Sequence, residues 1–315
     1  MNILIIGAGA IGIAVGASLV SVGNSVDFLA SKRTKAAIDC SGVYRDGIFG
    51  ECQALKNVIA FDNYDDLRYE LYDYIIVSAK TFSNAEISEK LSLHKNQIKD
   101  ECKIIIMQNG IGNDEPFLEN FSKDTVYNAR VITGFERTAP NKSKITVHNA
   151  PVLFGSLYGA ELSCMEPIAK ALDKSGIPSE VSDEVGKALW AKLLYNTTLN
   201  PLGAILHCSY GELYESKSAR EIMERLVRES YEVMDAVGSA TYQSNAQEYI
   251  DELYNTLIPN TYAHRASTLQ DIEKKQRTEI DTLNGSIVRL GIKHGINAPT
   301  HEMICLMIKA IEENY

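Results

Sequence analysis

Apolar residues in the first half of the chain form short continuous runs that alternate with segments of helical repeat. The runs predict strands at Asn2–Ile6, Ser25–Ala30, Tyr74–Ala79, Lys103–Met107 and Thr125–Ile132. The segments between them predict helices at Ile11–Val22, Asn84–Leu93 and Asp114–Phe121. Because continuous apolar strands are typical of sheets that are covered on both faces, this half is predicted to be a mainly parallel sheet between helices.

Two further apolar runs follow the fifth strand. Lys144–His148 and Val152–Phe154 are separated by Asn149-Ala150-Pro151, a turn-like tripeptide. This pattern predicts an antiparallel hairpin added to the sheet.

The pattern changes beyond about Val181, where no convincing strand appears. Helical repeats are predicted at Asp183–Leu206, Arg220–Val237, Ala246–Leu257, Ala266–Leu290 and Thr300–Glu313. Asp183 is a suitable N-cap for the first of them. We therefore expect an α/β domain over residues 1–182 and an all-α domain over residues 183–315, with a ligand cleft between them.

Composition narrows the classes of function. The chain has 315 residues and a formal net charge of −10, which disfavours nucleic-acid binding, although a local basic cluster can still hold a small anion. No apolar run approaches the ~18–20 residues of a membrane span. The chain has six scattered cysteines and no CxxC pair: Cys40, Cys52, Cys102, Cys164, Cys208 and Cys305. This pattern predicts reduced thiols in a cytoplasmic protein, and neither a disulfide framework nor a metal site.

A glycine motif joins the first predicted strand to the first helix. Gly7-Ala8-Gly9-Ala10-Ile11-Gly12 fits G-x-G-x-x-G, in the position where that pattern binds a dinucleotide. Gly7 allows the tight turn, Gly9 lets the backbone approach a pyrophosphate, and Gly12 lets helix and strand pack closely. A tight turn without a ligand is the alternative. The strand–turn–helix context favours a Rossmann-type dinucleotide-binding domain.

The end of the second predicted strand bears on the choice of cofactor. An NAD enzyme usually has an acidic residue there for the ribose 2′-hydroxyl, but Asp27 lies too early, within the strand. The residues that follow are Ser31, Lys32 and Arg33, which suit a 2′-phosphate. NADP is therefore favoured over NAD. The alternative is that Lys32 and Arg33 are a solvated loop pair.

Two polar residues follow later strands of the sheet. Lys80 ends the Tyr74–Ala79 run, and Asn109-Gly110 follows Lys103–Met107. Ligands bind at the carboxyl ends of parallel strands, so Lys80 is predicted to meet the cofactor and Asn109 to lie near its nicotinamide. Asn-Gly is also a common turn dipeptide, and this alternative stays open.

A polar row interrupts the long apolar helix at the start of the second half. Lys192, Asn196 and Asn200 are spaced four residues apart and so project along one helix face. Their neighbours are apolar, so these groups would be costly to bury without partners. The pattern favours a site for an oxygen-rich ligand over a solvated helix face.

A second row is predicted within the Ala266–Leu290 helix. Ser267, Asp271 and Glu279 share one face by helical spacing. Because much of this stretch is charged, a solvated helix is a serious alternative here.

Taken together, the motifs resemble the ketopantoate reductase (2-dehydropantoate 2-reductase) family over nearly the whole chain. The segments that carry the resemblance are GAGAIG from Gly7, Lys80, QNGIG around Asn109, WAKLLYNTTLNPL from Trp190 and ASTLQDIEKKQRTEIDTLNG from Ala266. The resemblance implies that NADPH delivers hydride to the C2 ketone of ketopantoate, giving pantoate for pantothenate and coenzyme A synthesis. It also allows a homodimer through the helical domain.

The resemblance assigns roles by position. Lys192 is implied as the general acid, with Glu279 between substrate and cofactor, and both are expected to be catalytic. The implied substrate-binding residues are Asn109, Asn196, Asn200, Tyr210 and Ser267. The implied cofactor-binding residues are Gly7, Ala8, Gly9, Ala10, Ile11, Gly12, Ser31, Lys32, Arg33, Lys80, Asn109 and Glu279.

The chain departs from the family pattern at four positions. Tyr210 stands where some members have another substrate-contacting asparagine, and His264 where an asparagine can occur. Ser31 matches the family's usual arginine, and Glu136 falls where a small residue is common. The first two leave a different 2-oxo acid open as substrate, and the others bear on the preference for NADP.

A non-catalytic redox sensor that binds NADP is the rival from another class. The presence of both Lys192 and Glu279 argues against it, because a sensor has no need of a proton donor.

Overall fold

The computed structural model describes residues 1–315 and divides into two compact units. One comprises Met1–Gln108 and Asn113–Val185, and the other comprises Asn109–Gly112 and Gly186–Tyr315. The first unit is α/β and the second is helical, so the predicted fold class is confirmed. The short segment Asn109–Gly112, which follows the strands of the sheet in sequence, groups with the helical unit.

The α/β unit contains one ten-stranded sheet. Its strands are β1 (Asn2–Ile6), β2 (Ser25–Leu29), β3 (Val43–Gly47), β4 (Cys52–Ala54), β5 (Val58–Phe61), β6 (Tyr74–Val77), β7 (Lys103–Ile106), β8 (Val126–Ala139), β9 (Lys142–Gly155) and β10 (Ser179–Val181). They are ordered β4-β3-β9-β8-β7-β6-β1-β2-β5, and β10 pairs with β9. The pairs from β5 through β2, β1, β6 and β7 to β8 are all parallel.

Helices cover both faces of the sheet, which explains the continuous apolar strands. They are α1 (Ala10–Ser21), α2 (Lys32–Ser41), α3 (Asn84–Leu93), α4 (Glu115–Leu118) and α5 (Glu166–Lys174). In β1, Ile3 and Ile5 pack into one apolar core, whereas Leu4 and Ile6 pack into the core on the opposite face. Alternate side chains of a strand point to opposite faces, so both sets must be apolar.

The predicted hairpin between Lys144–His148 and Val152–Phe154 is wrong. Both segments belong to the single strand β9, which pairs with β8 in antiparallel fashion. The register shifts between Arg130, which is opposite Leu153, and Ile132, which is opposite Ala150, so Pro151 falls in a bulge. Because proline cannot donate to a ladder, a bulge accommodates it without ending the strand.

The helical unit is built around α6 (Val185–Leu206). The helices that follow are α7 (Tyr210–Glu215), α8 (Lys217–Ala236), α9 (Ala246–Glu252), α10 (Ile258–Asn260), α11 (Ser267–Glu273), α12 (Asn284–His294) and α13 (Pro299–Glu312). A π-helical turn at Leu253–Leu257 joins α9 to α10. Helix α6 buries Leu193, Leu194 and Leu199 in the apolar core of this unit. None of the helices is both long enough and apolar enough to cross a bilayer.

The prediction of a single helix over Ala266–Leu290 is also wrong. Helix α11 ends at Glu273 and α12 begins at Asn284, with Lys275 in the left-handed region at φ 53°. The residues from Glu273 to Arg277 are all exposed, so this stretch has no apolar face whose burial would stabilise a helix.

Candidate active site

The glycine loop after β1 has the geometry that its sequence predicts. Gly7 has φ 102°, and a Cβ there would lie 2.3 Å from the backbone nitrogen of Ala79. A Cβ on Gly12 would lie 2.2 Å from the carbonyl oxygen of Gly7. Only glycine fits at these two positions, since neither backbone neighbour can move away.

Gly9 differs from the other two glycines, because a Cβ there would meet no atom within 4 Å. Gly9 is the N-cap residue of α1, and no side chain caps the N–H groups of that helix. The first four N–H groups of a helix lack partners within it and, with the helix dipole, attract an anion. The open space beside Gly9, Ala10 and Ile11 therefore fits a dinucleotide pyrophosphate.

Asp27 forms a structural ion pair with Arg68 within the α/β unit. It is 1% exposed, and Nη2 of Arg68 donates to its Oδ1 at 2.6 Å. The hydroxyl of Tyr72 donates to its Oδ2 at 2.7 Å. This carboxylate is therefore not presented to a ribose at the end of β2.

Beyond β2 the chain enters α2 and not a loop. Ser31 is the N-cap residue, and its side chain accepts a hydrogen bond from the backbone nitrogen of Thr34 at 3.4 Å. Lys32 and Arg33 form the exposed first turn of this helix. Two cations at a helix N-terminus favour an anion such as a phosphate.

Sequence reasoning missed a third cation next to this turn. Nη2 of Arg137, on β8, donates to Oγ1 of Thr34 at 2.6 Å and to the Pro140 carbonyl at 2.7 Å. Partial burial and then the charge of Arg33 lower the pKa of Arg137. Like charges held close together favour an anion between them. No sequence signal pointed to Arg137, since it lies beyond the predicted end of its strand at Ile132.

Lys80 lies in the exposed turn that follows β6. The turn is held by a buried amide pair that sequence reasoning also missed. Asn84 donates to Oε1 of Gln108 at 2.8 Å, and Nε2 of Gln108 donates to the Ala79 carbonyl at 2.6 Å. These bonds fix the backbone next to Lys80. Glu136 is exposed on β8, opposite Lys144.

Three residues predicted to act together are connected within the helical unit. Nζ of Lys192 donates to Oδ1 of Asn109 at 2.6 Å, and Nδ2 of Asn109 donates to Oε2 of Glu279 at 3.1 Å. All three side chains are half-buried. The amide of Asn109 therefore bridges an ammonium and a carboxylate, which fixes the direction of both.

Gly110 explains how Asn109 reaches this position. It has φ 95°, and a Cβ there would lie 2.3 Å from the carbonyl oxygen of Thr282. Glycine thus lets the Asn109 loop pack directly against the turn that carries Glu279 and Thr282. Asn109-Gly110 is a turn dipeptide, as its alternative interpretation held, and it also brings an amide to the cluster.

Glu279 reaches the cluster from the turn between α11 and α12. The prediction that it shares a helix face with Ser267 and Asp271 is wrong, because α11 ends at Glu273. Ser267 is the exposed first residue of α11, and Asp271 is half-buried on the same helix. The side-chain contact with Asn109, and not helical spacing, places Glu279 near Lys192.

The two asparagines of α6 differ in exposure. Asn196 is half-buried, and Asn200 is 5% exposed with its Oδ1 accepting from the hydroxyl of Tyr210 at 2.5 Å. The buried ring of Tyr210 packs edge-on against Tyr195, at 5.7 Å between centroids. It also contacts the ring of His264 at 5.0 Å, with the two planes tilted by 46°. Burial raises the pKa of the Tyr210 hydroxyl, which keeps it protonated as a donor to Asn200.

Family models match both halves of the chain. Residues 3–159 match the model described as "Ketopantoate reductase PanE/ApbA", and residues 184–312 match "Ketopantoate reductase PanE/ApbA C terminal". A 2-dehydropantoate 2-reductase of Aquifex aeolicus is 34% identical over 313 residues, covering 99% of this chain and 97% of the relative. One of Pyrococcus horikoshii is 28% identical over 99% of this chain and 98% of the relative.

The chain belongs to the ketopantoate reductase family. It is therefore an oxidoreductase, as the sequence motifs predicted. A PanE/ApbA family ketopantoate reductase from Ralstonia eutropha superposes with a TM-score of 0.83 at 25% identity, covering 100% of this chain and 99% of the other. D-mandelate dehydrogenase, solved with NADH and anilino(oxo)acetate, superposes at 0.85 with 23% identity and the same coverage, and shares the fold.

Proposed function

We propose that this chain uses NADPH to reduce the C2 ketone of a 2-oxo acid to a hydroxyl, with 2-dehydropantoate as substrate and pantoate as product. The observation that carries the proposal is the hydrogen-bonded series Lys192–Asn109–Glu279. The relatives of Aquifex aeolicus and Pyrococcus horikoshii, both named 2-dehydropantoate 2-reductase, support the same reaction and a place in pantothenate synthesis.

The reaction needs two hydrogens at the carbonyl group. The reduced nicotinamide, when bound, supplies a hydride to C2. The ammonium of Lys192 gives a proton to the oxygen that becomes negative, and it stabilises that charge as it forms. Asn109 directs the ammonium through its Oδ1, and Glu279 fixes the orientation of Asn109. Carbon is reduced, the cofactor is oxidised, and the hydroxyl proton comes from Lys192.

The remaining polar residues of the helical unit are proposed to hold the substrate. Asn196 and Asn200 continue the face of α6 that begins with Lys192, and Ser267 is exposed at the start of α11. Amide and hydroxyl donors suit the carboxylate and hydroxyl oxygens of a hydroxylated 2-oxo acid.

One observation favours a second candidate substrate. The aromatic cluster of Tyr195, Tyr210 and His264 lies directly beside Asn200. An aromatic wall at that position suits an apolar substituent better than a hydroxymethyl group. The second candidate is therefore a 2-oxo acid with a larger apolar side chain, reduced by the same chemistry.

We infer NADP as the cofactor from the basic turn at the start of α2. Ser31, Lys32 and Arg33 begin this turn, and Arg137 donates to Thr34 within it, so the turn brings together four donors, three of them charged. Asp27, which could have accepted from a ribose 2′-hydroxyl, is instead paired with Arg68. A 2′-phosphate satisfies this group of cations, whereas a hydroxyl does not.

Two further properties belong to the proposal. All six cysteines are free thiols, which favours the cytoplasm as the place of the reaction. Ile292, Met303 and Leu306 are exposed on α12 and α13, which favours a homodimer through the helical unit. Sedimentation of the native chain and of Leu306→Glu tests this, with loss of the dimer expected in the variant.

Kinetics with a matched lysine control test the proposed function. Consumption of NADPH and NADH is followed with ketopantoate and a panel of aliphatic and aromatic 2-oxo acids. Lys192→Ala is expected to lower kcat about 100- to 10,000-fold, whereas Lys217→Ala, at an exposed position of the same unit, changes it little. Binding of NADPH without turnover of any 2-oxo acid would contradict the proposed function and favour the redox sensor.

A further inference from the structure

Helix α6 contains a proline at the position that follows Asn200. Pro201 has no backbone N–H, so it cannot donate to the carbonyl of Thr197 four residues before it. Thr197 is 0% exposed, and water therefore does not satisfy this carbonyl. A buried carbonyl without a donor would be costly, so another group must replace the missing N–H.

Asn284 supplies that donor. It is the first residue of α12 and is 0% exposed, and its Nδ2 donates to the Thr197 carbonyl at 3.0 Å. The same Nδ2 lies 3.1 Å from Nδ1 of His301. An amide nitrogen carries two hydrogens, and each has one acceptor here, so the direction of the side chain is fixed.

His301, whose Nδ1 is the second acceptor, is itself held in one tautomer. Its Nε2 lies 2.9 Å from the Leu226 carbonyl and 3.0 Å from Oγ of Ser230. A carbonyl can only accept, so Nε2 carries the ring hydrogen and Nδ1 is left to accept from Asn284. Burial lowers the pKa of His301 to about 4, which keeps the ring neutral at pH 7.

We infer that Asn284 is a positioning residue that sets the Asn196–Asn200 turn of α6 by replacing the N–H that Pro201 lacks. Thr197 lies within this turn, directly after Asn196, so a displaced Thr197 carbonyl would move both asparagine side chains. The role in catalysis rests on the proposed function. The role in holding α6 rests only on the hydrogen bonds among Thr197, Asn284 and His301.

The test is a double-mutant cycle on the full chain. Asn284→Ala removes the donor, and Pro201→Ala restores a backbone N–H that can reach the Thr197 carbonyl. Ser230→Ala is the matched control, because it removes a buried hydrogen bond from His301 without touching Thr197. Two kinds of measurement are made on each variant. One is amide hydrogen exchange of residues 196–204, and the other is steady-state kinetics, which gives kcat and KM with NADPH and the 2-oxo acid.

Asn284→Ala is expected to accelerate exchange in residues 196–204 and to lower kcat about 10- to 100-fold, with KM for NADPH nearly unchanged. In the Pro201→Ala background, Asn284→Ala should lower kcat less than about three-fold. Ser230→Ala should change neither the exchange of residues 196–204 nor kcat. A merely structural role would predict equal exchange in Asn284→Ala and Ser230→Ala.

Two results would overturn the inference. One is an equal effect of Asn284→Ala on exchange in both backgrounds, and the other is an effect on exchange that Ser230→Ala reproduces. If the native chain reduces no 2-oxo acid, the proposed function fails, and the exchange measurements still decide whether Asn284 holds the turn.

Discussion

Asn109 accepts a hydrogen bond from the Lys192 ammonium at 2.6 Å, although 83 positions separate the two residues in the chain. Asn109 lies in a loop that follows a strand of the sheet, yet its segment groups with the helical unit. The proposed proton donor is thus oriented by a residue that the sequence places in the other half of the molecule.

Loss of the Asn109 side chain should therefore impair catalysis more than folding. Asn109→Ala removes both the acceptor for Lys192 and the donor to Glu279, so we expect kcat to fall about 10- to 100-fold. Steady-state kinetics with NADPH and the 2-oxo acid measure the change. Asn63→Ala, at an exposed position of the other unit, serves as control. Equal kcat values for Asn109→Ala and the native chain would show that the bridge has no catalytic role.

Arg137 should contribute to the discrimination between NADPH and NADH. Arg137→Ala removes a charged donor beside Thr34 and Arg33, so we expect KM for NADPH to rise about ten-fold or more while KM for NADH stays nearly constant. The comparison of both cofactors in one variant measures this. Arg225→Ala removes an exposed pair with Glu221 and should alter neither KM. Parallel changes for both cofactors would exclude a contact with the 2′-phosphate.

The glycine loop allows folding and cofactor binding to be separated. Gly7→Ala brings a Cβ against the Ala79 backbone at a positive φ, so it should destabilise the α/β unit by about 2 kcal/mol or more. Gly9→Ala meets no protein atom and should leave the melting temperature nearly unchanged while weakening NADPH binding. Thermal unfolding and fluorescence titration measure the two effects. Undiminished affinity in Gly9→Ala would place the pyrophosphate elsewhere.

The sequence predicted those parts of the fold that local pattern determines. The parallel strands were predictable because apolar residues fill both faces of strands such as β1. The Lys192–Asn200 row was predictable because most of the neighbouring positions of α6 are apolar, so that a lysine and two asparagines at helical spacing are conspicuous.

The errors arose where the presence or lack of a tertiary contact, and not the local pattern, decides the structure. Pro151 suggested a turn, but strand β9 continues through it, because the pairing with β8 contains a bulge at Pro151. Helical spacing continued through Glu279, but the charged stretch before it has nothing to bury and forms a turn. Arg137 was missed because its relation to Arg33 exists only once β8 pairs within the folded sheet.

His301 should make the folded chain sensitive to acid. Burial lowers its pKa in the folded state to about 4, below the ordinary value of 6.5, while the nearby Glu229 charge and the Leu226 carbonyl only partly oppose this. The unfolded chain therefore binds a proton more readily. The contribution of the neutral His301 to the free energy of unfolding is fully present above pH 6.5. It is lost as the pH falls towards 4, and the total loss is about 3 kcal/mol.

Denaturant unfolding of the native chain and of His301→Gln between pH 7 and pH 4 measures this contribution. Glutamine does not titrate, so the free energy of unfolding of the variant should fall less over the same interval. The slopes of unfolding free energy against pH should differ by an amount that corresponds to about one bound proton. Identical slopes for the two proteins would show that His301 is not the group that titrates.

The hydroxyl of Tyr210 should control how firmly Asn200 holds the substrate. Tyr210→Phe keeps the ring against Tyr195 and His264 but removes the donor to Oδ1 of Asn200. The freed amide can rotate, so KM for the 2-oxo acid should rise about ten-fold while KM for NADPH is unchanged. Tyr195→Phe is the matched control, because its hydroxyl is bonded to Thr261 and not to Asn200. If both phenylalanine variants raise KM equally, the effect belongs to the packing of the aromatic cluster, and Asn200 does not depend on Tyr210 for its orientation.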